Sequence, residues 1–216
     1  MSAVDIISIP KTAFMGVENG STFAVDNCAG DCEGALIVSV GLRSTFRYYA
    51  HLPMGNGAMT FRRHIEISLD APGARAEIYA LLNGGVGSKI SLSISLAHRA
   101  MDSHSVCAVR SIGDGDGSMA IEASVYVGKR MPNCSSTVQL NNLQLSSRCQ
   151  LVAIPALHID TANSRCSHGT TVGGLDPSQI FYLRSRGLSE ESSKSALCDG
   201  FCEELLRKFP KKMHKH

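Results

Sequence analysis

Tryptophan is absent from the 216-residue chain, and the chain holds only 5 tyrosines and 7 phenylalanines. A core built on large aromatic side chains is therefore excluded, and 20 glycines favour many turns and close packing of small residues. Neither sign of charge dominates, because 21 Lys and Arg stand against 19 Asp and Glu. This balance provides no overall attraction to nucleic acid or to a membrane surface. With 44% hydrophobic residues, the composition predicts a globular protein rather than a disordered one.

Three motifs that carry enzyme chemistry are also missing. The sequence contains no G-x-x-x-x-G-K-[ST], so we expect no nucleotide to be bound by this chain. It contains neither H-E-x-x-H nor G-x-S-x-G, the motifs of zinc proteases and of serine hydrolases. We therefore expect no enzyme activity of its own, and any energy from ATP hydrolysis would come from a partner.

Targeting signals are weak or absent at the N-terminus. An acid stands where a signal peptide needs Lys or Arg, and the apolar stretch is interrupted at Pro10. No apolar run approaches the roughly 18 residues of a membrane span. We expect a cytoplasmic protein whose eight cysteines are thiols. The pairs Cys28/Cys32 and Cys198/Cys202 have C-x-x-x-C spacing, which differs from zinc-ribbon spacing and favours buried thiols.

Residues 59–173 are predicted to be a succession of β-strands. Ile90–Leu96 alternates apolar and polar residues with a period of two, which buries one face of a strand and exposes the other. Similar segments recur about every 15 residues, separated by Gly-rich turns and by no helical segment. The spacing fits a parallel β-helix, and it fits a β-sandwich almost as well. Residues 1–58 are less regular and are predicted to hold loops and the first strands.

Residues 174–210 change in character and predict two short antiparallel helices. Asp176 is suited to an N-cap and Pro177 to the first helical position. A second helix is predicted from Ser189, with an amphipathic face that repeats every four residues. The basic tail, residues 211–216, is typical of a solvated chain end.

A group of polar and thiol side chains falls near the end of the β region and is predicted to converge there. In a strand, residues i and i+2 share a face, so Cys166 and His168 are expected to point together. A thiol and an imidazole suit iron, zinc or an iron–sulfur cluster, and two ligands leave room for others from a second subunit. Alternatively, His168 hydrogen-bonds the backbone and Cys166 only packs. The members of the group are Cys149, His158, Asp160, Cys166 and His168.

Two other histidines, His98 and His104, lie in a segment between predicted strands. Without further context we interpret them as turn or capping residues. A second class of function also fits the Cys and His content, namely a metal-dependent enzyme that uses Cys166 and His168 with a bound water. Its weakness is that no third ligand stands at a usual spacing.

The most specific pattern in the sequence is the S-H-G-T-T-V-G of Ser167–Gly173, followed by the Q-I-F-Y-L-R-S-R-G-L of Gln179–Leu188. This pair of segments resembles the C-terminal signature of the SufB/SufD family, and its form is closer to SufD than to SufB. The resemblance implies a mostly β protein, a right-handed parallel β-helix with a C-terminal pair of short α-helices. It also implies a scaffold subunit for iron–sulfur cluster assembly that pairs with a SufB-like subunit and the SufC-type ABC ATPase.

The resemblance assigns roles to individual positions. His168 falls on the SufD-type histidine that helps to hold a transient iron–sulfur cluster at the subunit interface, and Cys166 lies beside it. Leu140 aligns with the key cysteine of SufB, and Gly169 replaces the glutamate that follows the SufB histidine, so both positions favour a SufD-like subunit. The C-terminal helices are implied to bind the ATPase, and the candidate contacts are Phe181, Tyr182, Arg184, Arg186, Phe201 and Leu205.

A cysteine desulfurase system is implied only as an indirect partner, and the sequence does not decide whether a flavin binds. The alternative within the family is a SufB-like subunit of a homodimeric complex, with Cys149 or Cys134 in place of the missing cysteine.

Overall fold

The computed structural model describes residues 6–8, 12–18, 20–26, 31–53 and 58–210, and the strands and helices below belong to these ranges. Cys28 and the basic tail 211–216 lie outside them. The strands are β1 (Ile6–Ser8), β2 (Thr12–Val17), β3 (Ser21–Asp26), β4 (Cys32–Val40), β5 (Thr45–Leu52), β6 (Thr60–Leu69), β7 (Arg75–Gly84), β8 (Lys89–His98), β9 (His104–Gly113), β10 (Ser118–Val127), β11 (Ser135–Gln144), β12 (Gln150–Ile159) and β13 (Arg165–Gly173). Two helices follow, α1 (Pro177–Ser185) and α2 (Glu190–Leu206).

The strands form two parallel sheets that the chain visits in alternation. The odd-numbered strands make a seven-stranded sheet in the order β1-β3-β5-β7-β9-β11-β13, here called the odd sheet. The even-numbered strands make the six-stranded even sheet, β12-β10-β8-β6-β4-β2. Each coil therefore contributes one strand to each sheet. Many of the hydrogen bonds that side chains make to the neighbouring coil join residues 29 to 31 apart. The prediction of a parallel β-helix is confirmed, and the sandwich is excluded.

Alternating side chains explain why these segments form strands and where the core lies. In β8, Ile90, Leu92, Ile94 and Leu96 are buried, and the residues between them are exposed or half-buried. The buried set points into the space between the two sheets and joins one apolar cluster that runs through successive coils. Burying an aliphatic side chain of this size contributes about 1.5–3 kcal/mol, so each coil is held mainly by its inward face.

The β-helix begins before the predicted boundary at residue 59. β4 pairs with β6, and β5 pairs with β7, so residues 32–52 belong to the same two sheets as the rest of the body. The irregular appearance of this region has a physical source in β5, where Tyr48, Tyr49 and Ala50 are all buried in succession. Tyr49 faces outward and is covered by the C-terminal segment, which hides the alternation. The last strand of the β body, β13, ends at Gly173.

The two helices start as predicted and then take different positions. Asp176 accepts a hydrogen bond from the backbone N–H of Ser178, and Ser189 caps α2 in the same way through Ser192. α2 lies on the outer face of the odd sheet, whereas α1 buries no residue. Among the described residues, no helix is long and apolar enough to cross a membrane. The cysteines in the described ranges are free thiols.

Candidate functional site at the open end of the β-helix

The last coil leaves its interior uncovered. β12 and β13 are the terminal strands of their sheets, and within the described residues no further coil stacks on them. Their inward side chains continue the core but are only partly shielded, as for Leu151 and Leu157. At the C-terminal ends of these two strands, the side chain of Ile159 is 39% exposed and that of Val172 is 49% exposed. The β-helix thus presents an apolar end surface with a free sheet edge on each side.

Cys166 and His168 lie on the inward side of β13, at this open end. In the strand pairing, Cys166 stands opposite Ser136 and His168 opposite Val138, and both partners are buried. Directly paired residues of neighbouring strands project to the same side of a sheet. The expectation that Cys166 and His168 share a face is therefore confirmed. Cys166 is half-buried against the core, and the His168 imidazole is exposed and makes no side-chain hydrogen bond within the described chain.

A ladder of uncharged polar groups lies beneath Cys166. Ser105 and Ser136 occupy the same inward position on the two preceding odd strands, and their hydroxyl oxygens are 2.7 Å apart. The Ser105 hydroxyl also lies 2.9 Å from His98 Nε2, and His98 Nδ1 lies 2.8 Å from the Ser103 hydroxyl. Burial is the main cause that lowers the pKa of His98 to about 4, so this imidazole is neutral at pH 7. Our interpretation of His98 as a turn or capping residue is wrong.

His104, by contrast, points outward at the start of β9. Its Nδ1 lies 2.7 Å from the Ser135 hydroxyl on the neighbouring coil, and burial together with Arg75 lowers its pKa. The side chain therefore bridges two coils at the surface and takes no part in the ladder under Cys166.

The thiols near this end differ from one another in their surroundings. Cys134 is buried beside the ladder, with its Sγ 3.3 Å from the Ser103 hydroxyl. Burial raises the pKa of the Cys166 thiol, and it does the same for Cys149, which is almost fully buried. A raised pKa keeps the thiols of Cys166 and Cys149 protonated at neutral pH, so neither of these two is a preformed thiolate.

The wider group predicted to converge here does not come together. His158 faces outward from β12 and stacks on Tyr126, with ring centroids 4.6 Å apart. Cys149 lies at the opposite end of β12, just before its first residue. Within the described ranges no three His, Cys, Asp or Glu side chains are arranged to hold a metal ion. Cys166 and His168 offer two of the four ligands that a zinc site takes, so the site on this chain is at most a half-site.

The helical residues predicted to contact a partner are divided between two environments. Phe181 is 74% exposed and Tyr182 is 56% exposed on α1. The Arg186 guanidinium lies 5.3 Å from the centre of the Tyr182 ring, and Arg184 forms an exposed ion pair with the first residue of α2. These four side chains are all exposed, and together they are here called the α1 surface.

The two candidates on α2 are placed against the β body. Leu205 is 5% exposed and packs on the odd sheet, so a partner cannot reach it while α2 stays in place. Phe201 is half-buried beneath the Arg110 guanidinium, which also donates to the Phe201 carbonyl oxygen. The buried residues of α2 are Ser193, Cys198, Cys202 and Leu205. The predicted four-residue repeat, Leu197, Phe201 and Leu205, therefore coincides with the buried side only at Leu205.

Comparison with known proteins finds a family match over most of the chain. A family model described as "SUF system FeS cluster assembly, SufBD core domain" matches residues 43–201, which span β5 to α2 and include the open end. The chain belongs to the SufB/SufD family. A SufBD family protein of Synechocystis sp. is 29% identical over 178 residues, which cover 80% of this chain and 38% of that protein.

Relatives of this chain are found among both SufB and SufD proteins. The iron–sulfur cluster assembly protein SufD of Escherichia coli is 40% identical over 65 residues, 30% of this chain and 15% of that protein. SufB of Bacillus subtilis is 25% identical over 142 residues, 66% of this chain and 30% of that protein. The chain spans less than two fifths of the length of these relatives.

Proposed function

We propose that this chain is a SufD-like scaffold subunit for iron–sulfur cluster assembly and that its open end pairs with a SufB-like subunit. The observation that carries the proposal is the position of Cys166 and His168 on an uncovered terminal coil. Two donors at an open end form a site that a second chain can complete. The cluster is the cargo of this site, held transiently between subunits and then transferred.

The edges of the two sheets support pairing at this end. The outer edges of β12 and β13 have no strand beside them in the described chain, so their backbone N–H and C=O groups are available for hydrogen bonds. A partner that adds one strand to each sheet would also cover the apolar end surface around Ile159 and Val172. Such a partner would bring its own ligands close to His168.

Residue identities favour the SufD-like assignment over the SufB-like one. Leu140, which aligns with the key SufB cysteine, is fully buried on the strand that neighbours β13. A leucine accepts no sulfur, and Gly169 offers no carboxylate. Within this proposal His168 is a cluster donor, and Cys166 is a second donor whose thiol loses its proton on binding iron.

The ATPase is proposed to dock on the α1 surface. Phe181 and Tyr182 are large apolar side chains without cover, and α1 is joined to β13 by only a few residues after Gly173. A partner that binds one conformation of α1 more tightly than another favours that conformation. Because α1 follows β13 closely, such a change can also shift the strand that carries His168. Any cysteine desulfurase would act through the SufB-like partner, because this chain lacks the accepting cysteine.

Co-expression with a SufB-like subunit and a SufC-type ATPase tests the two interfaces separately. Val172→Lys places a charge on the open end and is expected to abolish retention of the SufB-like subunit while the ATPase stays bound. Phe181→Ser/Tyr182→Ser is expected to release the ATPase only. Val106→Lys is the matched control, because Val106 is an exposed apolar residue elsewhere on the odd sheet. Retention of both partners by all three variants would contradict the proposal.

The two alternatives make different predictions in the same preparation. A SufB-like homodimer predicts that the chain alone dimerises through its open end and carries persulfide on Cys134 or Cys149. A metal-dependent enzyme predicts stoichiometric zinc in the isolated chain. A monomeric chain that carries neither a persulfide nor stoichiometric zinc would favour the SufD-like scaffold.

A further inference from the structure

A cleft of about 750 Å³ lies on the outer side of the odd sheet, between α2 and the segment that leads into α1. Its floor is formed by buried residues, among them Ile112 and the two α2 thiols, Cys198 and Cys202. Leu145 and Leu175 provide half-buried apolar walls. A space of this volume is far larger than a metal ion needs and lies in the range of small-molecule sites. It is separate from the open end that carries His168.

The rim of the cleft carries a negative charge. Asp114, Glu191 and Asp199 are exposed at the rim, and none forms an ion pair with any residue in the part of the chain described by the structure. The single rim ammonium, Lys194, is paired 2.8 Å away with Glu190 on the same helix. The carboxylates affect the floor too, because Asp199 and Asp114 add to burial in raising the pKa of Cys198. The cleft is therefore suited to a cation.

The floor also contains a hydrogen-bond acceptor without a partner. Asn83 lines the cleft and is 8% exposed, and its side-chain oxygen is buried without a hydrogen bond to any described residue. Buried polar groups are usually paired, and an unpaired one costs free energy. A small rotation of the Asn83 amide toward the cleft would let its oxygen accept a hydrogen bond from a donor that enters the cleft. An N–H donor with a positive charge satisfies both the oxygen and the rim.

We propose that this cleft is a docking site for an arginine side chain of a partner protein. The guanidinium would lie between Asp114 and Asp199 and donate to the Asn83 oxygen. The aliphatic stem would pack against Ile112 and Leu175. This proposal goes beyond cluster scaffolding and does not depend on it.

Arginine fits this cleft better than the other cations do. Its guanidinium has five N–H donors in a planar fork, so it can serve two carboxylates and an amide oxygen at once. It is also less strongly hydrated than an ammonium and loses less on entering an apolar cleft. A soft metal ion would need thiolates, and burial raises the pKa of Cys202 to about 11.

The absence of tryptophan makes a direct binding experiment possible. Ile180→Trp in the full chain provides one fluorescent reporter at a lining residue that is not among the proposed contacts. The probe is the capped peptide acetyl-Leu-Arg-Leu-amide, and its partner probe contains citrulline, which has nearly the same shape without the charge. We expect saturable binding of the arginine peptide with at least about tenfold weaker binding of the citrulline peptide. Binding should weaken further as salt is raised.

Two variants in the reporter background assign the contacts. Asp114→Asn/Asp199→Asn is expected to weaken the binding of the arginine peptide about tenfold. Glu122→Gln/Asp160→Asn is the matched control, because it removes the same charge from exposed positions on and beside the even sheet. Asn83→Leu is expected to weaken binding several-fold without loss of folding stability, since it removes an acceptor that has no partner in the free chain.

Each possible outcome either supports the arginine site or overturns it. Equal binding of both peptides, an unchanged affinity in Asp114→Asn/Asp199→Asn, or no binding with an intact circular dichroism spectrum would overturn the proposal. Protection of Cys198 and Cys202 from alkylation by Zn²⁺ alone, and not by the arginine peptide, would overturn it as well. Leu145→Trp is a second reporter if Ile180→Trp unfolds the chain. These experiments use the isolated chain, so their failure would leave the co-purification results untouched.

Discussion

The polar groups inside the early coils and inside the late coils of this β-helix are of different kinds. Between β3 and β6 the interior holds a charged pair, in which the Arg63 guanidinium makes two 2.7 Å hydrogen bonds to Asp26 and Tyr48 donates to the same carboxylate. Between β8 and β13 the interior polar groups are uncharged, and they form the His98–Ser105–Ser136 ladder beneath Cys166. The charged cluster lies inside closed coils. The neutral ladder leads to the open end, where a partner and cargo are proposed to bind.

The difference shows how a solenoid can combine a closed body with an open end. A buried charge is tolerated only with its counter-charge, so the early coils depend on a single geometry. A hydroxyl, imidazole or thiol group costs less free energy than a charge when some of its hydrogen bonds are missing. Such groups suit a terminal coil that is proposed to meet another chain. Four predictions test this comparison, beginning with the largest expected effect.

Asp26→Ala should be the most destabilising of the four changes. It removes the carboxylate that receives both hydrogen bonds from the buried Arg63, and breaking a buried pair in this way costs about 3–5 kcal/mol. Urea unfolding measures the loss. Glu33→Ala is the control, because its exposed pair with Arg62 spans 3.5 Å and should contribute below about 1 kcal/mol. Similar losses for the two variants would remove the distinction between the interior pair and a surface pair.

Acid should weaken the late coils through His98. Its pKa is about 4 in the folded chain and 6.5 ordinarily. Between pH 4 and pH 6.5, His98 is therefore protonated in the unfolded chain and neutral in the folded chain. Stability is therefore complete above pH 6.5 and falls as the pH drops toward 4, by up to about 3 kcal/mol. His98→Gln should flatten this part of the curve of unfolding free energy against pH. The lowered pKa values of His51 and His104 add a residual slope in the same direction. An unchanged curve would show that His98 is not held neutral.

Ser136→Ala should have an intermediate effect. The variant loses the hydroxyl that lies 2.7 Å from Ser105 inside the core, and a neutral hydrogen bond of this kind contributes about 1 kcal/mol. Ser124→Ala, a half-buried position on the outer face of β10, is the control and should change the unfolding free energy by no more than about 0.5 kcal/mol. Equal effects would mean that the ladder does not stabilise the late coils.

His168→Ala should change the stability least and the function most. The side chain is exposed and makes no hydrogen bond in the described chain, so the unfolding free energy should stay within about 0.5 kcal/mol of the unchanged protein. In a complex with the SufB-like subunit and the ATPase, we expect cluster build-up, followed by visible absorbance, to fall at least tenfold. His158→Ala removes an exposed imidazole from the outer face and should build clusters normally. Normal build-up by His168→Ala would count against its role as a donor.

Much of the fold was predictable because local chemistry and tertiary packing agree in most strands. The alternation in β8 follows directly from one buried and one exposed face, and the caps of α1 and α2 are short-range hydrogen bonds. The pattern fails in β5, where Tyr48 faces inward and Tyr49 is covered from outside by the C-terminal segment. Burial on both faces depends on contacts that lie far away in sequence.

The candidate site was predictable only in part, for a similar reason. The shared face of Cys166 and His168 is a local property of a strand and could be deduced from their spacing. The burial of His98 and the outward direction of His158 depend on which residues stack one coil away. Ser105 and Ser136 carried no local signal at all, although their separation of about one coil length could have suggested that they pair. The cleft around Asn83 needs a helix, a linker and a sheet together.

By itself, the amino-acid sequence determined the class of fold, the family signature and the pairing of a thiol with an imidazole on one strand face. These properties arise from residues a few positions apart, whose relation is set by backbone geometry. Only the tertiary structure decided that the strand ends the β-helix, that Leu205 is buried while Phe181 is exposed, and that an acidic cleft lies under α2. Those facts depend on how coils stack and where helices settle, which is governed by burial summed over contacts distant in the chain.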